Sequence, residues 1–260
     1  MDLFFKNFST GYENNQVICD LNLKINSGEW VGIIGSNGSG KSTLLKGIAK
    51  IIPMQSGDLY LNKFSIKDLS TKKIAKVLSY LPQKINSNLP LTVKELVSLG
   101  RSPHKYFWEF DLNKEDFLII EESLELCNLK KYSKNSLSSL SGGQCQRAFL
   151  ALTIAQNTKI LLLDEPTTFL DINFQIQMLD LIKNLNKIKK LTILSVIHDI
   201  NLAARYCDRL AIFKDGELLA IDKPNEALSE DLIKEAFSIE IKKIETPVGK
   251  QICAIRASKD

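Results

Sequence analysis

Gly35-Ser36-Asn37-Gly38-Ser39-Gly40-Lys41-Ser42 lies between the apolar run Val31-Gly32-Ile33-Ile34 and the helically spaced Leu44, Leu45, Ile48 and Ile52. A strand, a glycine-rich turn and a helix in that order build a phosphate cradle. The glycines let backbone N–H groups approach the phosphate oxygens, and the helix N-terminus adds the positive end of its dipole. The spacing fits the Gly-x-x-x-x-Gly-Lys-Ser/Thr pattern, and the flanking strand and helix supply the context that makes the match specific. Gly35, Ser36, Asn37, Gly38, Ser39 and Gly40 form the cradle. Lys41 is placed to meet the β and γ phosphates, Ser42 to ligate Mg²⁺, and Thr43 to add a hydroxyl in the same region.

Two more apolar runs end in polar groups. Ile160-Leu161-Leu162-Leu163 leads into Asp164-Glu165, and Ile193-Leu194-Ser195-Val196-Ile197 leads into His198. Runs apolar on both faces read as parallel strands buried between helices, and Phe174, Met178, Ile182 and Leu185 continue the strand-helix alternation. The core is therefore α/β, and Gly35, Gln83, Asp164 and His198 emerge at the carboxyl ends of its strands, where such sheets bind ligands. Asp164 offers a hard oxygen to Mg²⁺, directly or through water, and Glu165 can orient and deprotonate an attacking water. At the start of the chain Val17, Cys19, Leu21, Leu23 and Ile25 alternate with mostly polar neighbours, the mark of antiparallel strands exposed on one face. Between Gln83 and Ser141 the pattern turns helical. Thr92-Val93-Lys94-Glu95 matches a capping box and 116–129 an amphipathic helix. Past Asp222 short helices and a small hairpin are expected.

The 260 residues are 44% hydrophobic, enough for a sizeable core. A net charge of +4 and a pI of about 8.6 name no nucleic-acid partner. Five cysteines without a paired spacing indicate neither a disulfide framework nor a zinc site, so a reducing cytoplasm is the natural compartment. No apolar run approaches the roughly 18 residues of a membrane span, and any membrane role comes through a partner.

Leu140-Ser141-Gly142-Gly143-Gln144 reads as a second cradle at a helix start. With it in place, the chain resembles the ATPase subunit of an ABC transporter over nearly its whole length. Leu140 to Gln144 matches the signature sequence, Ile160 to Glu165 the Walker B strand, Tyr80-Leu81-Pro82-Gln83 the Q-loop, Leu170-Asp171 the D-loop, and Ile197-His198-Asp199 the switch histidine. The resemblance implies a P-loop NTPase of ABC ATPase type: a mostly parallel sheet core, an N-terminal antiparallel β subdomain and an inserted helical subdomain. Its expected boundaries are 1–83 and 159–240 for the catalytic core, 84–158 for the helical subdomain and 241–260 for a short extension. It also implies ATP and Mg²⁺ as cofactors, Tyr12 stacking on adenine, Gln83 joining Ser42 and Asp164 at Mg²⁺ and sensing the γ phosphate, His198 acting in catalysis, and Asp171 bridging two subunits. The second cradle has no lysine, metal ligand or base. A helix N-terminus contributes only about 0.3–1 kcal/mol, ~2 when partly buried, too little to bind ATP tightly alone. It is therefore expected to close over the γ phosphate held by another copy. Phe169 and Cys145 depart from the residues common at their positions.

The segment Leu91 to His104, with His198 to Tyr206, resembles ATPases that import iron-siderophores, haem or cobalamin. That implies a polytopic permease as partner, an extracytoplasmic substrate-binding protein as an indirect one, and a peripheral place on the cytoplasmic face of the inner membrane. Tyr106, Phe107, Trp108 and Phe110 suit either a permease interface or the subdomain core. Lys183, Lys187, Lys189 and Lys190 read as a solvated helix face. The alternative is a soluble ABC ATPase serving as an assembly factor, for instance in iron–sulfur cluster biogenesis. A GTPase or small-molecule kinase would leave Leu140 to Gln144 unused, and no Asn-Lys-x-Asp motif is present. ATP is accordingly expected to displace a fluorescent nucleotide at lower concentration than GTP, and a strong preference for GTP in that competition would count against the resemblance.

Overall fold

The computed structural model describes residues 1–13, 15–106 and 111–257. In chain order the strands are β1 (Leu3–Tyr12), β2 (Asn15–Ile25), β3 (Trp30–Gly35), β4 (Met54–Leu61), β5 (Phe64–Ser65), β6 (Leu78–Leu81), β7 (Ile160–Asp164), β8 (Thr192–Val196), β9 (Arg209–Lys214), β10 (Glu217–Asp222), β11 (Ile239–Thr246) and β12 (Gly249–Ala257). The helices are α1 (Lys41–Ile48), α2 (Thr71–Ala75), α3 (Val93–Ser98), α4 (Lys114–Leu126), α5 (Gly142–Ala155), α6 (Ile172–Lys189), α7 (Ile200–Tyr206), α8 (Pro224–Ala227) and α9 (Glu230–Phe237). The chain divides into two compact units, Met1–Asp68 with Thr192–Asp260, and Leu69–Leu191.

In the first unit β3 lies between β8 and β9, parallel to both, and β10 closes the edge antiparallel to β9. Trp30 to Ile34 of β3 are all buried, which is why the run shows no alternation. The Trp30 indole donates to Ser195 Oγ at 2.7 Å, so the one polar atom of this fully buried ring is satisfied. Helix α1 buries Leu44, Leu45 and Ile48. A separate antiparallel sheet has the order β2-β1-β4-β5.

In β2 the inward set differs from the expected alternation. Leu21, Leu23 and Ile25 are buried, but nearer the hairpin Ile18 is buried while Val17 and Cys19 are only partly so. The cause is a bulge: Phe8 faces Leu21 and Thr10 faces Ile18, leaving an extra residue on β2, where Asp20 takes a φ of 44°. One inserted residue exchanges the two faces of a strand. The expected C-terminal helices and hairpin are present as α8, α9 and the β11–β12 pair. Asn201 of α7 holds the hairpin by donating to Ile252 O at 3.1 Å and accepting from Ile252 N at 2.8 Å.

In the second unit β6 and β7 pair in parallel from Leu78↔Ile160 to Leu81↔Leu163, and every residue of β7 is buried. The capping box expected at Thr92 opens α3. Helix α4 starts and ends earlier than the apolar periodicity suggests. Asn113 caps it in a second box with Asp116, and the chain turns out at Asn128, whose φ is 56°.

Asp116 is buried and receives Arg101 Nε at 2.8 Å and Lys105 Nζ at 2.5 Å. Burial alone would raise its carboxyl, but the hydrogen bonds from Lys105 and Arg101 outweigh that and hold it at about 2. Arg101 also donates to Ala155 O at 2.8 Å, and His104 Nε2 meets Gln156 O at 2.8 Å, so both side chains engage the carboxyl end of α5. Cationic and donor groups belong there, because the last carbonyls of a helix lack intrahelical partners. Tyr106 is exposed, with Lys72 Nζ 5.6 Å from its ring centroid. Phe107, Trp108 and Phe110 lie outside the described residues. Lys187 and Lys190 are exposed as expected, whereas Lys189 pairs with Glu122 at 2.7 Å. Among the described residues no helix is long and apolar enough to cross a membrane.

Asp116→Asn leaves Arg101 without its counter-charge in a buried setting, and is expected to destabilise the chain by about 3 kcal/mol in urea unfolding. The Asp116 carboxyl titrates lower folded than unfolded. Its contribution is therefore complete above the unfolded value of 3.8 and lost as pH falls toward about 2. The variant should lack that part of the acid slope.

Candidate functional site

The phosphate loop of the first unit is built around Lys41. Its ammonium donates to Gly35 O at 2.9 Å, Ser36 O at 2.7 Å and Ser39 Oγ at 3.4 Å, which curls the loop about the helix start. Two glycines are required, Gly35 by backbone contact and Gly40 by its left-handed conformation. A Cβ on Gly35 would stand 2.2 Å from Phe213 O, and Gly40, at a φ of 90°, would meet Ile18 Cδ1 at 2.7 Å. Around Gly38 there is open space, as a ligand-facing position requires. Ser39, Lys41 and Thr43 are buried, Ser42 is half-buried, and Asn37 and Gly38 are exposed. Thr43 is as buried as Lys41, in the first turn of α1 beside it.

Tyr12 ends β1 and is 44% exposed. It pairs with Asn15 in the hairpin whose Val17 and Ile18 side chains lie against Gly40. This places Tyr12 on the element that supports the loop. His198 follows β8. The register Ile33↔Val196 and the bond from Ile197 N to Ile33 O at 3.3 Å bring it out at the same strand end as Gly35.

The second unit holds the carboxylates. Asp164 ends β7 and is 1% exposed, and the Tyr80 hydroxyl donates to its Oδ2 at 3.0 Å. Glu165 is 7% exposed and has a φ of 53°, a left-handed conformation that a non-glycine residue adopts at a cost. Its Oε2 receives Gln83 Nε2 at 2.5 Å and Thr168 Oγ1 at 2.9 Å. Both donors address one oxygen, so the carboxylate plane is fixed. The structure thus brings Gln83, Asp164 and Glu165 together in this unit.

Tyr80, quoted only as the start of the Q-loop run, and Thr168 carry no role in the sequence reading, and each had a signal. Tyr80 is a hydroxyl in the apolar run Leu78 to Leu81, and in a parallel pair with Tyr80 opposite Leu162, Asp164 is its diagonal neighbour. Thr168 sits one turn beyond Glu165, where its backbone N–H bonds Glu165 O at 3.2 Å.

At the second cradle Ser141 caps α5. Its hydroxyl accepts from Gln144 N at 3.3 Å, and Gln144 Oε1 accepts from Ser141 N at 2.9 Å. Two of the N–H groups expected to face a phosphate are therefore held within the box, whose Ser-x-x-Gln spacing was visible in the sequence. Ser141 and Gly142 are exposed, with open space about Gly142. A Cβ on Gly143 would stand 3.3 Å from the Phe174 ring. Asp171 caps α6 by accepting from Phe174 N at 3.1 Å, so Phe174 links the signature turn to the D-loop within one chain. Phe169, at a φ of 65°, is 89% exposed. The Cys145 thiol is buried, and burial pushes its pKa up, which disfavours the reactive thiolate.

The family model described as ABC transporter matches residues 18–168. The chain is 47% identical over 222 residues to the petrobactin import ATP-binding protein FpuC of Bacillus anthracis, covering 85% of this chain and 81% of that one. It is 41% identical over 244 residues to the iron(3+)-hydroxamate import ATP-binding protein FhuC of Bacillus subtilis (strain 168), covering 94% and 90%. Among solved structures, the dimeric post-hydrolysis state of the ATP-binding cassette MJ0796 bound to ADP and Pi superposes with a TM-score of 0.72 at 31% identity, covering 85% of this chain and 98% of that one. With the family model matching more than half of its length and import ATP-binding proteins at 41–47% identity over most of it, the chain belongs to the ABC transporter family as one of its ATP-hydrolysing cassettes.

Proposed function

We propose that the chain drives import of an iron chelate, a ferric siderophore or a related metal complex. In this reading two copies sandwich two ATP molecules against a polytopic membrane permease. The observation that carries the reaction is Glu165, a carboxylate next to Asp164 that Gln83 and Thr168 hold in one orientation despite its left-handed backbone. The observation that supports the cargo is the naming of relatives such as FpuC and FhuC as import ATP-binding proteins for petrobactin and iron(3+)-hydroxamate. The dimeric cassette MJ0796 supports the pairing.

The roles follow from the chemistry of each group. Amides of Gly35 to Gly40 and the Lys41 ammonium take the β and γ phosphates, and phosphate oxygens replace the loop carbonyls as partners of Lys41. Tyr12 stacks on the adenine. The donors suited to Mg²⁺ are the hydroxyl of Ser42, the amide oxygen of Gln83 and the buried carboxylate of Asp164. These are hard oxygens of the kind that join substrate phosphates around this ion, and they would hold it. An ion held there would supply positive charge to offset the negative charge that develops on the phosphate oxygens. Glu165 accepts the proton of the attacking water, and His198 stabilises the γ phosphate during transfer. Ser141, Gly142, Gly143 and Gln144, with Leu140 behind them, close on the nucleotide of the opposite copy, and Asp171 bridges the two copies. An extracytoplasmic binding protein delivers the chelate to the permease, and this chain sits peripherally on the cytoplasmic face. An assembly-factor role lacks comparable support, since the relatives named above are import proteins.

Glu165→Gln is expected to keep ATP binding, lower turnover by at least about 100-fold and yield a stable ATP-dependent dimer on size exclusion. Unchanged hydrolysis would remove Glu165 from the role of base. Isolation from detergent-solubilised membranes should bring a polytopic permease with the chain, and a purely soluble partner complex would count against import.

A further inference from the structure

We infer that Tyr80 is a positioning residue for the metal-holding carboxylate. The inference rests on the proposed role of Asp164 and goes beyond it. Tyr80 belongs to β6, and its register opposite Leu162 sends its side chain along the same face of the strand pair as Asp164. The hydroxyl reaches Asp164 Oδ2 at 3.0 Å, a contact spanning 84 positions of sequence.

A carboxylate at the end of a buried strand has two demands to meet. It must be stabilised as an anion, and its plane must be fixed so that an oxygen points where a divalent ion arrives. A phenol meets both demands with one bond, since its O–H donates to Oδ2 and its rigid ring, set in a strand, fixes the direction of donation. Partners that orient a metal ligand in this way commonly govern metal affinity as strongly as they govern turnover. Phenylalanine would fill the same volume and satisfy the same strand propensity. The hydroxyl is therefore the part of Tyr80 that packing does not call for.

Tyr80→Phe isolates that hydroxyl. Mn²⁺, used as the probe, is titrated by electron paramagnetic resonance into the full chain saturated with ADP, and nucleotide affinity is measured separately in EDTA. The expected result is Mn²⁺ affinity weakened by about 10-fold, with metal-free nucleotide binding and the melting temperature of the nucleotide-free chain unchanged. Tyr80→Leu, which removes ring and hydroxyl together, should weaken Mn²⁺ at least as much. Mn²⁺ affinity within twofold of wild type in Tyr80→Phe would overturn the inference. A fall in melting temperature with metal affinity preserved would also overturn it, because Tyr80 would then serve packing alone. Asp164→Asn separates the two levels. If it loses Mn²⁺ while Tyr80→Phe does not, the positioning role fails and the metal role of Asp164 stands. If Asp164→Asn itself keeps Mn²⁺, the reading of Asp164 fails.

Discussion

A carboxylate carried to the end of a fully buried strand is costly unless something donates to it, and in the Leu69–Leu191 unit that requirement falls on Asp164. The bond from Tyr80 meets it across the β6–β7 pair, and the next residue, Glu165, is secured from the same side of the chain by Gln83. Strand β6 with the turn that follows it is therefore both the neighbour of β7 and the source of donors for Asp164 and Glu165. The segment Tyr80-Leu81-Pro82-Gln83 spaces those donors three residues apart, one for each carboxylate.

The helical part of the same unit depends on a related balance. Arg101 is buried because Asp116 is buried with it, and Asp116 is a carboxylate that also closes the cap of α4. A single acid thus ties the start of α4 to the segment Leu99–His104, and Arg101 carries the tie onward to the end of α5. The ion cluster is small, yet three elements meet in it. Removing either partner from such a pair strands the other charge in a buried setting.

Much of this was open to reading from the chain. The phosphate loop declared itself through spacing and context, and the capping box at Thr92 through two residues three apart. What could not be read has physical causes. The bulge at Asp20 moved Ile18 inward where alternation pointed to Val17 and Cys19, and with Val17, Ile18 and Cys19 all apolar the pattern does not mark where the phase changes. The pairing of Gln83 with Glu165 and of Tyr80 with Asp164 needs the strand register, which no local pattern carries. Gln144, one of the signature residues, is also the reciprocal arm of the cap of α5, and its spacing from Ser141 was legible. Motifs locate the reacting groups well, and they say little about which neighbours hold those groups still.

Helix α5 is fixed at both ends by different chemistry. At its start Ser141 and Gln144 bind one another's backbone, and Gly143 leaves room for the Phe174 ring; at its finish Arg101 and His104 grip the last carbonyls. Its 14 residues span about 21 Å at the usual rise. A rod of that length clamped at each end is stiff along its axis. The Ser141 turn and the segment Leu99–His104 are therefore the two anchors of one stiff element, held at a fixed separation by its length.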